Sequence, residues 1–393
     1  MSFKNFGLLP RVVLAIVAGL VLGQHVGPTF VRWCATFNIL FGQFLGFSIP
    51  LIILGLVAPG IAELGKGGGR LLGITVALAY GSTLFAGCFA YSACSAIFPS
   101  LLGVATEVGA PSPDAIPTSL GLLEPIFSIE IPPAMNVVTA LLLAFIFGIG
   151  MAATNSEILL RGFTESRTII EKLIVTVVVP LLPLHIFGLF LNMTHSGVAA
   201  AIIVDFGKVI GVIFVLHLLL LLIQFSVAGI VGRRNPLWML WTMAPAYMTA
   251  LGTASSAATI PITLSSAKKL GIDNDVVDFC IPLCATIHLS GSMLKITATA
   301  LAVCLMDGLP HDPVLFAGFI FLLGVMMIAA PGIPGGAIMA ATGVLQSSLG
   351  FNEPQVALMI AIYLAIDSFG TAGNVTGDGA VAVIVDRMAQ SKS

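Results

Sequence analysis

The chain has 393 residues, of which 58% are hydrophobic and 9% charged, with a formal net charge of −2. Soluble domains carry about 25% charged residues, so this composition excludes a water-soluble enzyme and describes a polytopic membrane protein. Its basic residues never cluster in runs longer than two, as at Arg233-Arg234 and Lys268-Lys269, which excludes a nucleic-acid partner.

Apolar segments of helical length recur along the chain. The pattern predicts spans near residues 8–26, 39–61, 71–98, 137–153, 169–191 and 209–231. Lys4 and Arg11 precede the first span, which reads as a retained helix rather than a signal peptide. Basic residues mark alternate loops: Lys66 and Arg70, then Arg161, Arg167 and Lys172, then Arg233 and Arg234. That alternation puts these loops, and both termini, on the cytoplasmic side. Arg32 and Lys208 depart from it. The loop at 99–133 holds Glu107, Asp114, Glu124 and Glu130 but no Lys or Arg. The six cysteines (Cys34, Cys88, Cys94, Cys280, Cys284, Cys304) lie in or beside apolar runs and read as small buried hydrophobes.

After Arg234 the pattern changes. Residues 236–267 are apolar, turn polar at 253–259, meet Pro261 and end at Lys268 and Lys269. A segment that leaves and returns to one side predicts a re-entrant hairpin, tolerated at membrane depth only inside protein or beside water. A seventh span follows at 276–305. Residues 313–349 repeat the hairpin plan from the opposite side, with a tip at 330–336. The eighth span runs to Arg387. The predicted fold is therefore an all-α membrane protein of eight transmembrane helices and two re-entrant hairpins, arranged as inverted repeats.

The last two spans carry the polar residues. Asp367, Thr371, Asn374 and Asp378 fall within an arc of roughly 60° on one helix face, a stripe about 16 Å long. Ionisable residues at that depth mark functional sites. Gly370, Gly373 and Gly377 suggest an unwound segment with free carbonyls. In the seventh span, His288, Ser292, Lys295 and Thr299 follow Cys284 along one face. Buried Lys295 needs a partner, either Asp378 or Asp367, unless it snorkels. Ser265, Ser266 and Thr342 read as interhelical hydrogen-bonding residues.

These motifs resemble the glutamate-transporter family, the dicarboxylate/amino acid:cation symporters. Thr253-Ala-Ser-Ser-Ala-Ala-Thr-Ile-Pro261 is similar to its serine-rich hairpin tip. Pro282-Leu-Cys-Ala-Thr-Ile-His-Leu-Ser-Gly291 is similar to its seventh-helix Ala-Thr-Ile-Asn-Met-Asp-Gly segment. Gly332-Ile-Pro-Gly-Gly-Ala-Ile338 matches its second hairpin tip, and Asn374-Val-Thr-Gly-Asp378 its eighth-helix cation motif.

The resemblance implies a homotrimeric, elevator-type symporter of the bacterial inner membrane, with Na+ or H+ as coupling ion and no cofactor. Residues 1–70 and 101–195 would form the scaffold, and residues 71–100 and 204–393 the moving transport domain. Asp367 would hold a substrate ammonium, Thr371 and Asn374 the amino-acid head group, and Ser255, Ser256 and the backbone near Ile333 its carboxylate. Ser292 is grouped with them. Asn374, Asp378 and carbonyls near Cys284 would form one cation site, and Thr286 and Leu289 another, with His288 beside them.

The departures refine this expectation. Acidic-substrate members carry an eighth-helix Arg where this chain has Gly370, and the alternative hairpin Arg is Ala254. No guanidinium remains for a side-chain carboxylate, so a neutral amino acid such as serine, threonine or alanine is expected over an acidic one. The seventh-helix Asp is Ser290 and its Asn is His288. A cation site there is lost or remade, with Lys295 as a possible fixed charge, His288 as a proton carrier, and Ser82 and Thr83 nearby. An uncoupled facilitator and an acidic-substrate symporter are the alternatives. An intramembrane protease fails on geometry: Ser290 and Lys295 point about 140° apart, and the two aspartates are separated by about 16 Å along one helix.

Overall fold

A computed structural model of the chain describes residues 8–66, 70–102, 122–197, 199–328, 330 and 334–390, which form helices and connecting loops with no strand among them. Helices α1 (Leu8–Leu22), α2 (Pro28–Lys66), α3 (Arg70–Leu101), α4 (Val137–Thr154) and α5 (Glu157–Leu173) come first. A π-helical turn, Ile174–Val178, joins α5 to α6 (Val179–His195), and α7 (Ala199–Gly232) follows. The widened turn lies just ahead of Pro180, which has no N–H to continue the ladder. Among the described residues, five segments are long and apolar enough to cross a membrane: Pro28–Ala62, Arg70–Leu101, Glu157–His195, Ile202–Gly232 and Asn274–Met306.

Two elements run further than the sequence pattern indicates. Arg32 lies inside α2 because its guanidinium reaches out to the Glu124 and Pro125 carbonyls, at 3.2 and 3.4 Å. Arg161 and Arg167 lie inside α5, each paired with a glutamate one turn on. α4 packs on α2 and α1 on α6. A Cβ at Gly148 would lie 2.9 Å from the Ala58 carbonyl oxygen, and one at Gly19 would lie 2.9 Å from that of Phe187. Such close backbone approach replaces the hydrophobic drive that lipid cannot supply.

The second half of the chain is interrupted repeatedly. It comprises α8 (Pro236–Thr242), α9 (Ala244–Thr253), α10 (Ser256–Lys268), α11 (Asn274–Ile287), α12 (Ser290–Met306), α13 (Pro313–Ile328), α14 (Gly336–Leu349), α15 (Glu353–Ala365) and α16 (Asp367–Gln390). Hydrogen bonds fix which ends meet. Arg234 Nη2 donates to the Gly271 carbonyl at 2.6 Å, so α8–α10 leaves and returns at one end of the bundle. The Asp273 N–H donates to Asp386, and Arg70 donates to the Met388 carbonyl, at that same end. At the opposite end, Tyr91 donates to the His311 carbonyl and Gln355 to Asp307. Segment α13–α14 leaves and returns there.

The cysteine expectation holds in part. Cys94, Cys280, Cys284 and Cys304 are buried, but Cys34 is half-buried and Cys88 exposed. Both sit on helix faces that the described residues do not cover completely. The span Asn274–Met306 lies innermost, with 94% of its apolar window buried against 28% for Arg70–Leu101. Its polar residues from His288 to Thr299 therefore face protein rather than lipid.

Candidate functional site

Two antiparallel helices break side by side. Between α11 and α12 the backbone turns extended at His288 (φ −103°, ψ 93°), and Leu289 follows at φ −117°, ψ 43°. The N–H groups that would continue the helix go to side chains. Leu289 donates to Thr83 Oγ1 at 3.3 Å, while Gly291 and Ser292 donate to Asn374 Oδ1 at 2.7 and 3.3 Å. Asn374 thereby caps α12 from a neighbouring helix, as an N-cap residue would within one chain segment. The carbonyls of Ala285, Ile287 and His288 lose their helical donors at the same step.

The second break is at Ile366, where α15 and α16 meet at 63°. It precedes the glycines: α16 is continuous through Gly370, Gly373 and Gly377. The unwinding expected there does not occur, because these glycines serve close contact instead. A Cβ on Gly291 would lie 2.5 Å from the Gly370 carbonyl oxygen, so α12 and α16 cross backbone to backbone.

The polar stripe of α16 faces this crossing, and Asp367, Thr371, Asn374 and Asp378 are all buried. At the deep end, Asp378 Oδ1 lies 2.8 Å from His288 Nδ1. The other ring nitrogen is 3.0 Å from Ser82 Oγ. Gln224 donates to both Ser82 Oγ (3.0 Å) and Ser290 Oγ (3.1 Å). Asp378 Oδ2, Gln224 Oε1 and Thr376 Oγ1 are buried with no hydrogen-bond partner. Unsatisfied buried acceptors are costly, and the free Asp378 carboxylate oxygen suits a small hard cation; Thr376 lies on the opposite face of α16 from Asp378.

At the other end stands a buried ion pair. Lys295 Nζ lies 3.2 Å from Asp367 Oδ1, settling which of the two aspartates it pairs with. The ammonium also lies 3.4 and 3.5 Å from the carbonyl oxygens of Ile366 and Asp367, and 3.6 Å from the centroid of the Tyr363 ring. The lysine does not snorkel; it is fully buried. Its stem lies over Gly370, where a Cβ would overlap Lys295 Cε and sit 2.5 Å from Nζ. Asp367 Oδ2 accepts the N–H of Gly335 at 2.8 Å, on the connection into α14. Gly335 has φ +77°, which an L side chain resists. A buried pair of this kind adds little stability over apolar packing, so its presence argues for a role beyond folding.

These residues form two buried clusters, Asp367 with Lys295 at one end and Asp378 with His288 at the other, linked by Asn374 and Ser292, with Leu289 at the break and Cys284 buried close by. Thr371 is buried beside them, though its hydroxyl donates to the Asp367 carbonyl of its own helix. The Thr286 hydroxyl is not brought in: the residue is exposed and donates to the Leu283 carbonyl. Ser255 caps α10, accepting from the Ala258 N–H, and Ser256 is buried at the first position of that helix. Both α9 and α10 pack against α16. Ile333 lies outside the described residues.

Several neighbours escaped the sequence reading. His217 Nε2 lies 3.1 Å from the Gly291 carbonyl, and Gln224 anchors the Ser82–Ser290 contacts. Their signal was available, since two polar residues seven apart share one face of an otherwise apolar helix. Tyr363 Oη meets Ser292 Oγ at 2.9 Å.

The chain is 29% identical over 303 residues to the serine/threonine transporter SstT of Bifidobacterium adolescentis, covering 74% of this chain and 69% of that protein. The family described as the sodium:dicarboxylate symporter family matches residues 8–388. Its members are membrane transporters rather than enzymes, and by a match spanning nearly its whole length this chain belongs to the sodium:dicarboxylate symporter family.

Proposed function

We propose that this protein is a secondary-active symporter for a small uncharged amino acid of the serine and threonine kind. The observation that carries the reading is the α16 stripe: two carboxylates are buried where broken helices converge, one bonded to the Gly335 N–H beside α14. Asp367 suits an ammonium, and the Ala285, Ile287 and His288 carbonyls with Asp378 suit a coupling cation. No arginine stands at Gly370 or Ala254 to pair a substrate's side-chain carboxylate. The transporter named among the relatives carries serine and threonine, which supports the same class.

In this reading the chain has eight transmembrane helices and two re-entrant hairpins, α8–α10 and α13–α14, with both termini cytoplasmic. Helices α1, α2 and α4–α6 form the scaffold of a homotrimer in the bacterial inner membrane. The remaining helices move as an elevator. Sodium is the coupling ion we favour, with a proton on His288 and Asp378 as the variant form.

The test is binding of an amino-acid panel to purified protein, with and without sodium and at two pH values. Serine, threonine or alanine should bind, and more tightly with the coupling ion present. Tight aspartate or glutamate binding would defeat the substrate assignment. Uptake that never exceeds equilibrium under any ion gradient would reduce the protein to a facilitator.

A further inference from the structure

We propose that Lys295 is a tethered substitute for the substrate's ammonium. It neutralises Asp367 while the site is empty, lets the unloaded carrier cross back, and yields the carboxylate when an amino acid binds. The inference rests on the transport reading above and deepens it, by assigning the charge that balances the return step.

Three observations carry it. First, Asp367 is buried on α16 and would travel with the moving part; a bare carboxylate strongly resists such an environment. Second, the Lys295 ammonium is cradled as a free ammonium would be. It meets one carboxylate oxygen, the carbonyls of Ile366 and Asp367, and the face of Tyr363. Its nitrogen–oxygen distances of 3.2, 3.4 and 3.5 Å exceed the roughly 2.7–2.9 Å of a tight charge-assisted bond. The group is held near the carboxylate without being locked to it. Third, the space is made for it, because any side chain at Gly370 would strike the lysine stem.

Charge balance follows. The Asp367 end of the empty site holds one anion and one cation. An arriving zwitterion adds one of each, so this end is neutral loaded and unloaded. On binding, the incoming ammonium takes Asp367. The lysine keeps the Ile366 carbonyl and the Tyr363 face, while the substrate's carboxylate goes to the hydroxyl and N–H groups of Ser255 and Ser256 at the start of α10. A carrier built this way needs no counter-cation from the far side to reset.

The experiment uses purified protein in liposomes, with a labelled amino acid from the panel above. Net uptake into empty vesicles is compared with exchange into vesicles preloaded with that amino acid. In Lys295→Met and Lys295→Gln, net uptake should fall at least about tenfold relative to exchange, since only the unloaded return loses its charge partner. Exchange should persist and saturate at several-fold lower concentration, because an internal competitor for Asp367 is gone. Parallel loss of net uptake and exchange, or an unchanged ratio between them, would overturn the proposal. The wild type tests it independently. Its net uptake should run within about tenfold of exchange, with internal choline as well as with internal potassium. Exchange without net uptake, or a strict need for an internal metal cation, would also overturn it. Wild-type protein that moves no amino acid would overturn the transport reading itself and this inference with it; failure of the variants alone leaves that reading intact.

Discussion

Replacing Gly370 by alanine sets two opposed effects against each other. In a helix interior the change gains about 0.5–1 kcal/mol from backbone propensity. Here the new Cβ would overlap Lys295 Cε and lie 2.5 Å from Nζ and 3.0 Å from Cδ. Overpacking of this kind costs about 1–3 kcal/mol where neighbours can shift. If the lysine is driven off Asp367, the broken buried pair raises the cost to about 3–5 kcal/mol. At the middle of each range steric conflict wins, with a net loss of about 1 kcal/mol if the lysine only shifts and about 3 kcal/mol if it leaves Asp367. The sign should reverse once the obstacle is removed: in a Lys295→Ala background the same glycine replacement should stabilise by about 0.5–1 kcal/mol. Unfolding of the four purified proteins in detergent, analysed as a double-mutant cycle, reads both numbers. Equal shifts in the two backgrounds, or a Gly370→Ala protein as stable as the wild type, would refute the packing argument.

Two further substitutions probe the breaks. Asn374→Ala strips the acceptor from the Gly291 and Ser292 N–H groups, both buried. It should cost about 2–6 kcal/mol at roughly 1–3 kcal/mol per orphaned donor, and should abolish ion-dependent substrate binding, both measured on purified protein. His288→Ala leaves Asp378 Oδ1 without its 2.8 Å partner, while Oδ2 already has none. The loss should be about 1.5–3 kcal/mol, and the coupling-ion dependence of uptake in proteoliposomes should shift or vanish. Uptake with unaltered ion dependence would remove His288 from the cation region.

What the sequence made legible is what lipid enforces. Long apolar runs and their flanking basic residues marked the spans, and the α16 stripe could be read from spacing alone. Charge accounting narrowed Lys295 to two partners, though only coordinates separate Asp367 from Asp378. The breaks were harder. A glycine in a helix can signal unwinding or close contact, and Gly370, Gly373 and Gly377 signalled contact. The actual interruption at Ile366 carries no local mark, because it is set by α15 and α16 packing at an angle. Likewise His288 belonged by spacing to the Ser292 and Lys295 face. The extended residue at 288 turns it toward Ser82 and Asp378 instead. Gln224 and His217 were hidden by the strong apolar signal of α7.

The Gly335–Asp367 bond has a consequence for leakage. The carboxylate that would greet the cargo is also the latch on which the connection into α14 rests. A visitor that claims this group must therefore disturb the door it came through. Cargo lacking an amino group could enter the chamber yet give the loop no reason to reseat, and such impostors would stall at the threshold instead of riding across.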